Sequence, residues 1–233
     1  MAYLRVLPLL LCAASIASAE DAVDHAHCDE YIRKWGGPCL EGAAAESDKP
    51  FQGVLPKTHR EVMGFTVGMG DFAEAKKAFG TANEWRSGDA AASETKLCYS
   101  SMDSRDSVTV VFARNNEMSS RIDEIRLIQG LIESNNECAQ LRRTGNNVPT
   151  RSGLHVGMAE HELKGILGEP TYAAKGLLFY SWQKNRDLRP SDAHDSSCLV
   201  GDRSYETLGS GITVRVKNGV VAWVAISYGE YLC

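Results

Sequence analysis

Two six-residue stretches decide how this chain reads: Gly64-Phe65-Thr66-Val67-Gly68-Met69 and, 89 residues on, Gly153-Leu154-His155-Val156-Gly157-Met158. Each runs into a segment with helical spacing, Asp71 to Phe79 and Glu160 to Leu167, and each segment ends on a glycine, Gly80 and Gly168. A glycine there is the usual helix stop, because it reaches a left-handed backbone without a Cβ clash. Pro170 reinforces the second stop. The offset falls to 88 at the glycines, which predicts one extra residue in the first helix. Cys98-Tyr99-Ser100 then answers to Phe179-Tyr180-Ser181, and Val108-Thr109-Val110 to Ile212-Thr213-Val214. Four matched blocks in one order read as a tandem duplication. The expected fold class is α+β, each unit a helical segment followed by antiparallel strands.

The second unit carries the sharper strand signal. Ile212, Val214 and Val216 alternate with Thr213, Arg215 and Lys217, and Asn218-Gly219 follows, the strongest two-residue hairpin turn. A two-residue turn sets Lys217 opposite Val220, Val216 opposite Val221, Arg215 opposite Ala222 and Val214 opposite Trp223. Ile212, Val214, Val216, Val221 and Trp223 would then share the core face, and Thr213, Arg215, Lys217, Ala222 and Val224 the open one. In the first unit the matching strands lie near Val108 to Ala113 and Arg121 to Ile128, with a polar loop, Arg114 to Ser120, between them. Tyr180 and Trp182 share a strand face with Leu178, which reads as core or as an aromatic binding stripe.

Outside the matched blocks the organisation is simpler. Residues 1–19 have the form of a signal peptide: Arg5, an apolar run from Val6 to Ala14, and the small residues Ala17-Ser18-Ala19. Residues 20–61 form an N-terminal arm with a short helix expected around Glu30 to Trp35. The first repeat spans 62–133, a polar linker 134–151, and the second repeat 152–233, with a polar insertion at 183–211. The 233 residues carry 25 Lys+Arg against 30 Asp+Glu, a net charge of −5, which argues against a nucleic-acid binder. Hydrophobic residues are 43% of the chain, enough for a packed core and too many for disorder throughout. No segment is apolar over the ~20 residues that span a bilayer.

Cys12 lies in the expected signal peptide, behind Leu11 where a lipid-attachment box wants a small residue. Six cysteines remain, an even number that in an exported chain reads as three disulfides. The expected map is Cys28–Cys39 within the arm, Cys98–Cys138 and Cys198–Cys233, the last two repeating one staple in each unit.

In the second unit, Val156-Gly157-Met158, Leu167-Gly168-Glu169-Pro170 and Tyr180-Ser181-Trp182 resemble the repeat shared by β-lactamase inhibitory protein and the SmpA/OmlA outer-membrane assembly lipoproteins. The likeness covers roughly Val62 to Ile128 and Arg151 to Tyr228. It implies a helix-loop-helix packed on an antiparallel sheet in each unit, and a tandem saddle that grips another protein. The first unit departs from the pattern, with Thr81-Ala82 in place of the Glu-Pro step, and the contact loops of the inhibitory protein have no counterpart here.

Motifs of catalysis are missing. There is no Gly-x-Ser-x-Gly, no glycine-rich phosphate loop and no Cys-x-x-Cys, and His161-Glu162 lacks the second histidine of a zinc-protease helix because Gly165 stands there. His25 and His27 flank Cys28, and read as a solvated polar arm rather than a metal site. The sequence therefore points to an exported, non-enzymatic protein without cofactor or metal, which binds another envelope or secreted protein. Its expected binding surface is the open sheet face: Thr109 and Val111 in the first unit, Thr213, Arg215 and Val224 in the second. The alternatives are a secreted hydrolase with acidic residues converging in a cleft, and a passive structural protein of the envelope.

Overall fold

A computed structural model describes residues 50–87, 94–101, 107–114, 120–130, 132, 138–141, 148–174, 176–187, 199–200 and 203–232. The signal peptide, the helix expected near Glu30 and the pairs Cys28–Cys39 and Cys198–Cys233 lie outside these residues. In chain order the elements are β1 (Phe51–Gln52), α1 (Lys57–Arg60), β2 (Glu61–Val62), β3 (Phe65–Thr66), α2 (Phe72–Phe79), β4 (Trp85–Ser87), β5 (Glu94–Ser100), β6 (Val108–Arg114), β7 (Glu124–Gln129), β8 (Ala139–Gln140), α3 (Glu160–Leu167), β9 (Tyr172–Ala174), β10 (Leu177–Asp187), β11 (Leu199–Val200), β12 (Arg203–Lys217) and β13 (Val220–Leu232). The fold is mixed α/β, with one large sheet and few helices among the described residues.

The sheet runs in the order β1-β10-β12-β13-β7-β6-β5-β4. Strands β5, β6 and β7 form one antiparallel meander, and β10, β12 and β13 another. The two meet where β13 pairs β7, from Trp223 opposite Ile128 to Ser227 opposite Glu124. The helices lie over one face. There the main core gathers Phe72, Ala75 and Phe79 of α2, Leu163 and Leu167 of α3, and Tyr99, Phe112, Ile125, Leu127, Tyr180, Ile212, Val214, Val224 and Ile226 from the strands. Phe79 and Phe112 meet edge-on with ring centroids 4.8 Å apart, a favoured aromatic geometry. Tyr180 and Leu178 are core residues, and Trp182 packs at the margin against Phe51.

Local structure accounts for both helix starts. Asp71 accepts from the Glu74 N–H while Glu74 accepts from the Asp71 N–H, a reciprocal cap. At α3 the cap is half of that: the Glu162 carboxylate accepts from the Ala159 N–H at 2.9 Å, and alanine offers nothing in return. Both helices are eight residues long and end on the expected glycines, Gly80 and Gly168, each with positive φ. The extra residue expected in the first helix is therefore not there. It lies in the loop before it. Gly68 N–H donates to Ile122 O and Ile122 N–H to Gly70 O; in the second half Gly157 N–H donates to Val221 O and Val221 N–H to Met158 O. Gly70, not Met69, thus occupies the backbone position of Met158.

The second correction is at the β12–β13 hairpin. Asn218 and Gly219 both take positive φ, as the turn requires, and Lys217–Val220 and Val216–Val221 pair as expected. The register then shifts: Arg215 faces Trp223 and Val214 faces Val224. This bulge leaves Ala222 as the additional residue on β13, which reverses the side on which every later residue of that strand points. Val224 joins the main core, and Trp223 is buried on the opposite face with Ile128, Ile132, Cys98 and Val111.

The described parts of the supposed insertion are sheet. The β10–β12 ladder continues unbroken from Leu177 opposite Arg215 to Asp187 opposite Tyr205, and β11 folds back on β12 beyond it. The segment read as a linker contributes β8, which pairs parallel to β5, and Cys138 just before it is disulfide-bonded to Cys98 as expected.

Burial pushes the hydroxyls of Tyr99 and Tyr180 up to about 12, Tyr180 with added contributions from Glu169 and Glu160. A raised folded-state value means stability that is full below the ordinary pKa of 10.0 and is lost as pH climbs toward about 12. An alkaline titration followed by tyrosinate absorbance and far-UV circular dichroism should show late-titrating tyrosines whose ionisation coincides with unfolding. Glycine geometry gives a second test. Gly68 and Gly157 both have positive φ, but a Cβ on Gly68 would lie 2.1 Å from the Tyr228 ring, and one on Gly157 would meet nothing. In denaturant melts Gly157→Ala should cost about 1–2 kcal/mol, and Gly68→Ala a further ~1–3 kcal/mol of overpacking.

Candidate binding surface

The face of the sheet away from the helices carries the candidate surface, and its strands set it out in rungs. Leu177, Arg215, Trp223, Ile128 and Thr109 form one rung; Phe179, Thr213, Ala225, Arg126 and Val111 the next. Four of the five residues expected to bind, Thr109, Val111, Thr213 and Arg215, are thus brought to one face. The fifth, Val224, is buried on the other, because the bulge turned it there.

The expectation that this face is open fails over the first half of the sheet. Thr109 and Val111 are fully buried, Arg215 is buried, and only Thr213 is half-buried. Three things occupy the face. Ile132 and Cys138 pack on it beside Cys98. The Thr109 hydroxyl donates to Gly130 O at 2.8 Å, so it serves the chain leaving β7. The third is an ionic cluster: Glu94 pairs with Lys96 and Arg126, and Arg126 with Glu124. Lys96 Nζ sits 4.7 Å from the Trp85 ring centroid, a cation over an aromatic face.

Arg126 is 2% exposed, so its charge is compensated inside the fold. Burial alone would lower its pKa, but Glu124 and Glu94 outweigh that and hold it up. For Lys96, burial prevails over Glu94 and lowers the pKa. A buried network of this kind contributes little net stability, and breaking it by removing one partner is costly.

The second half of the sheet differs. There the next rungs are Ser181, Gly211 and Ser227, then Gln183, Gly209 and Gly229, all half-buried. These two rungs hold three glycines, two serines and Gln183. A Cβ on Gly211 would come 3.3 Å from Tyr180 O and 3.5 Å from the Ser227 hydroxyl. Glycine in a strand interior weakens it, and often marks close approach of another backbone or ligand. The residues Ser181, Gly209, Gly211, Ser227 and Gly229 were absent from the surface expected from the sequence. Their signal was available: Gly209-Ser210-Gly211 and Ser227-Tyr228-Gly229 each place small residues at alternating positions of a strand.

On the helix side, His59 Nδ1 lies 2.8 Å from the Ser152 hydroxyl and the ring packs toward Trp182, tying α1 to the turn that opens the second half. Burial lowers the His59 pKa. Among the described residues no three His, Cys, Asp or Glu side chains cluster as a metal site would require, and no helix is long and apolar enough to cross a membrane. His25 and His27 lie outside those residues. No protein-family model, curated protein or solved structure matches the chain.

The ionic cluster gives a direct test. Arg126→Met takes from Glu124 the buried guanidinium it pairs with, leaves Glu94 with Lys96, and should cost about 3–5 kcal/mol. Arg126→Met combined with Glu124→Gln should recover part of that loss in urea unfolding, because one stranded charge is then removed.

Proposed function

We propose that this chain is an exported, non-enzymatic protein built from two tandem units, and that it binds an envelope or secreted protein through the side-chain-poor rungs of its second half. The observation that carries the reading is the half-buried strip Ser181-Gly211-Ser227 and Gln183-Gly209-Gly229, set beside Thr213. It spares a flat piece of sheet from packing duty, where a partner's backbone or aromatic ring can lie close.

The tandem reading is supported by two eight-residue helices with glycine stops of the same hand, and by matching loop-to-strand hydrogen bonds at Gly68 and Gly157. The sheet order agrees with it, since each meander presents its last strand, β7 or β13, to the other. The resemblance to β-lactamase inhibitory protein and the SmpA/OmlA lipoproteins implies a helix-loop-helix on each antiparallel sheet; among the described residues each half has a single eight-residue helix over its strands. The Cys98–Cys138 disulfide supports export, because such bonds persist in oxidising compartments.

The test is affinity capture from periplasmic and secreted extracts with the mature protein, followed by measured affinities of folded variants for the captured partner. Ser227→Arg and Thr213→Arg, which stand on the strip and beside it, should weaken binding about tenfold or more, in line with disruption at the centre of an interface. Lys217→Ala, at the exposed hairpin end, should leave affinity unchanged. Wild-type affinity in both arginine variants would move the binding surface elsewhere.

A further inference from the structure

The two halves differ at one residue in a way their alignment conceals. Met69 and Met158 match in sequence, yet Met158 is 4% exposed in the core and Met69 is 63% exposed. The hydrogen bonds through Ile122 and Val221 assign Gly70 to the backbone position of Met158, so Met69 is the inserted residue. The space that a side chain at Gly70 would need is already taken: a Cβ there would lie 2.4 Å from the Phe65 ring. Met69 therefore has no berth in the core. The loop that carries it is clamped on both sides. Gly68 lies against the Tyr228 ring, and Arg60 stacks over that ring at 4.2 Å while donating to Val67 O. Met69 N–H is itself bonded to Thr66 O at 3.1 Å. The result is a thioether held out on a fixed loop, 63% exposed, with a glycine on either side.

We propose that Met69 is a reversible oxidation site for peroxide-class oxidants. A lone pair on Sδ attacks one oxygen of hydrogen peroxide, the O–O bond breaks as the S–O bond forms, and the departing hydroxide takes the proton of the sulfur-bound hydroxyl and leaves as water. The sulfur is oxidised by two electrons and the peroxide is reduced by two. The product is a polar, chiral sulfoxide, which methionine sulfoxide reductases return to the thioether. Because Met69 packs on nothing in the core, oxidation exchanges an apolar surface knob for a polar one and leaves the fold intact. At Met158, buried in the main core, the same chemistry would place a polar group in the apolar interior.

The experiment treats the folded protein with hydrogen peroxide and follows each methionine by peptide mapping. Met69 should be converted about tenfold or more faster than Met158, since susceptibility follows exposure. The melting temperature should be unchanged at full Met69 conversion, and reductase treatment should restore the thioether. Met69→Leu should melt like wild type and remove the fast-reacting peptide. Equal rates at Met69 and Met158, loss of the folded state on Met69 conversion, or a sulfoxide that the reductases cannot reach would each overturn the proposal.

Discussion

Everything in this structure depends on one ladder, the antiparallel pairing of β13 with β7 from Trp223 and Ile128 to Ser227 and Glu124. It is the joint at which two three-stranded meanders become one sheet. Neither meander offers its last strand a partner on that side except the other meander, and an unpaired strand edge is an aggregation hazard. Pairing them closes both edges at once and aligns the two helix layers on a common side. Ile125, Leu127, Val224 and Ile226, which flank the joint on that side, belong to a single core continuous with residues of α2 and α3. The two halves are welded by main-chain bonds and by the same buried side chains.

The parts legible in the sequence were those governed by local rules. Glycine stops at Gly80 and Gly168, the Asn218-Gly219 turn and the alternation of Ile212 to Lys217 each follow from backbone sterics or strand period, and each holds in the structure. The pairing of Cys98 with Cys138 followed from assigning one staple to each unit, and it is present. What local rules could not supply was parity beyond a bulge. One unpaired residue, Ala222, reverses the facing of Trp223 and Val224, and nothing in the composition of Val220 to Ile226 marks where the slip falls. The β13–β7 joint was equally hidden, because it connects strands about a hundred residues apart that carry no mark of each other.

The burial of Thr109, Val111 and Arg215 was not legible in the sequence for a related reason. Alternation identifies two faces of a strand, and says nothing of what covers the face that is not the core. Here the second face over β5, β6 and β7 has its own occupants: Ile132, the Cys98–Cys138 bridge and four charges that neutralise one another. Lys96, Glu94, Arg126 and Glu124 look in the sequence like the solvated side of strands, since Lys, Glu and Arg are seldom buried unless paired. Their mutual pairing is a three-dimensional fact that spacing along the chain cannot reveal. The rungs at Gly209, Gly211 and Gly229 are visible in the sequence as small residues at alternating positions, a pattern that suits a loop as well as a strand.

The disulfide has a consequence for how this molecule can change over generations. Cys98–Cys138 fixes Cys138 on the back of one half, where Ile132 also packs, so substitutions on that face must respect a packed and charge-balanced interior. The described back face of the other half has no such cover over Ser181, Gly211 and Ser227, and its strands β10 and β12 run on past the joint to Asp187 and Tyr205. One half is bound to conserve its shape and the other is at liberty to vary its surface. The molecule thus carries one back face that is fixed and one that is sparsely furnished, and substitutions on the second can alter contacts at less risk to the packed interior.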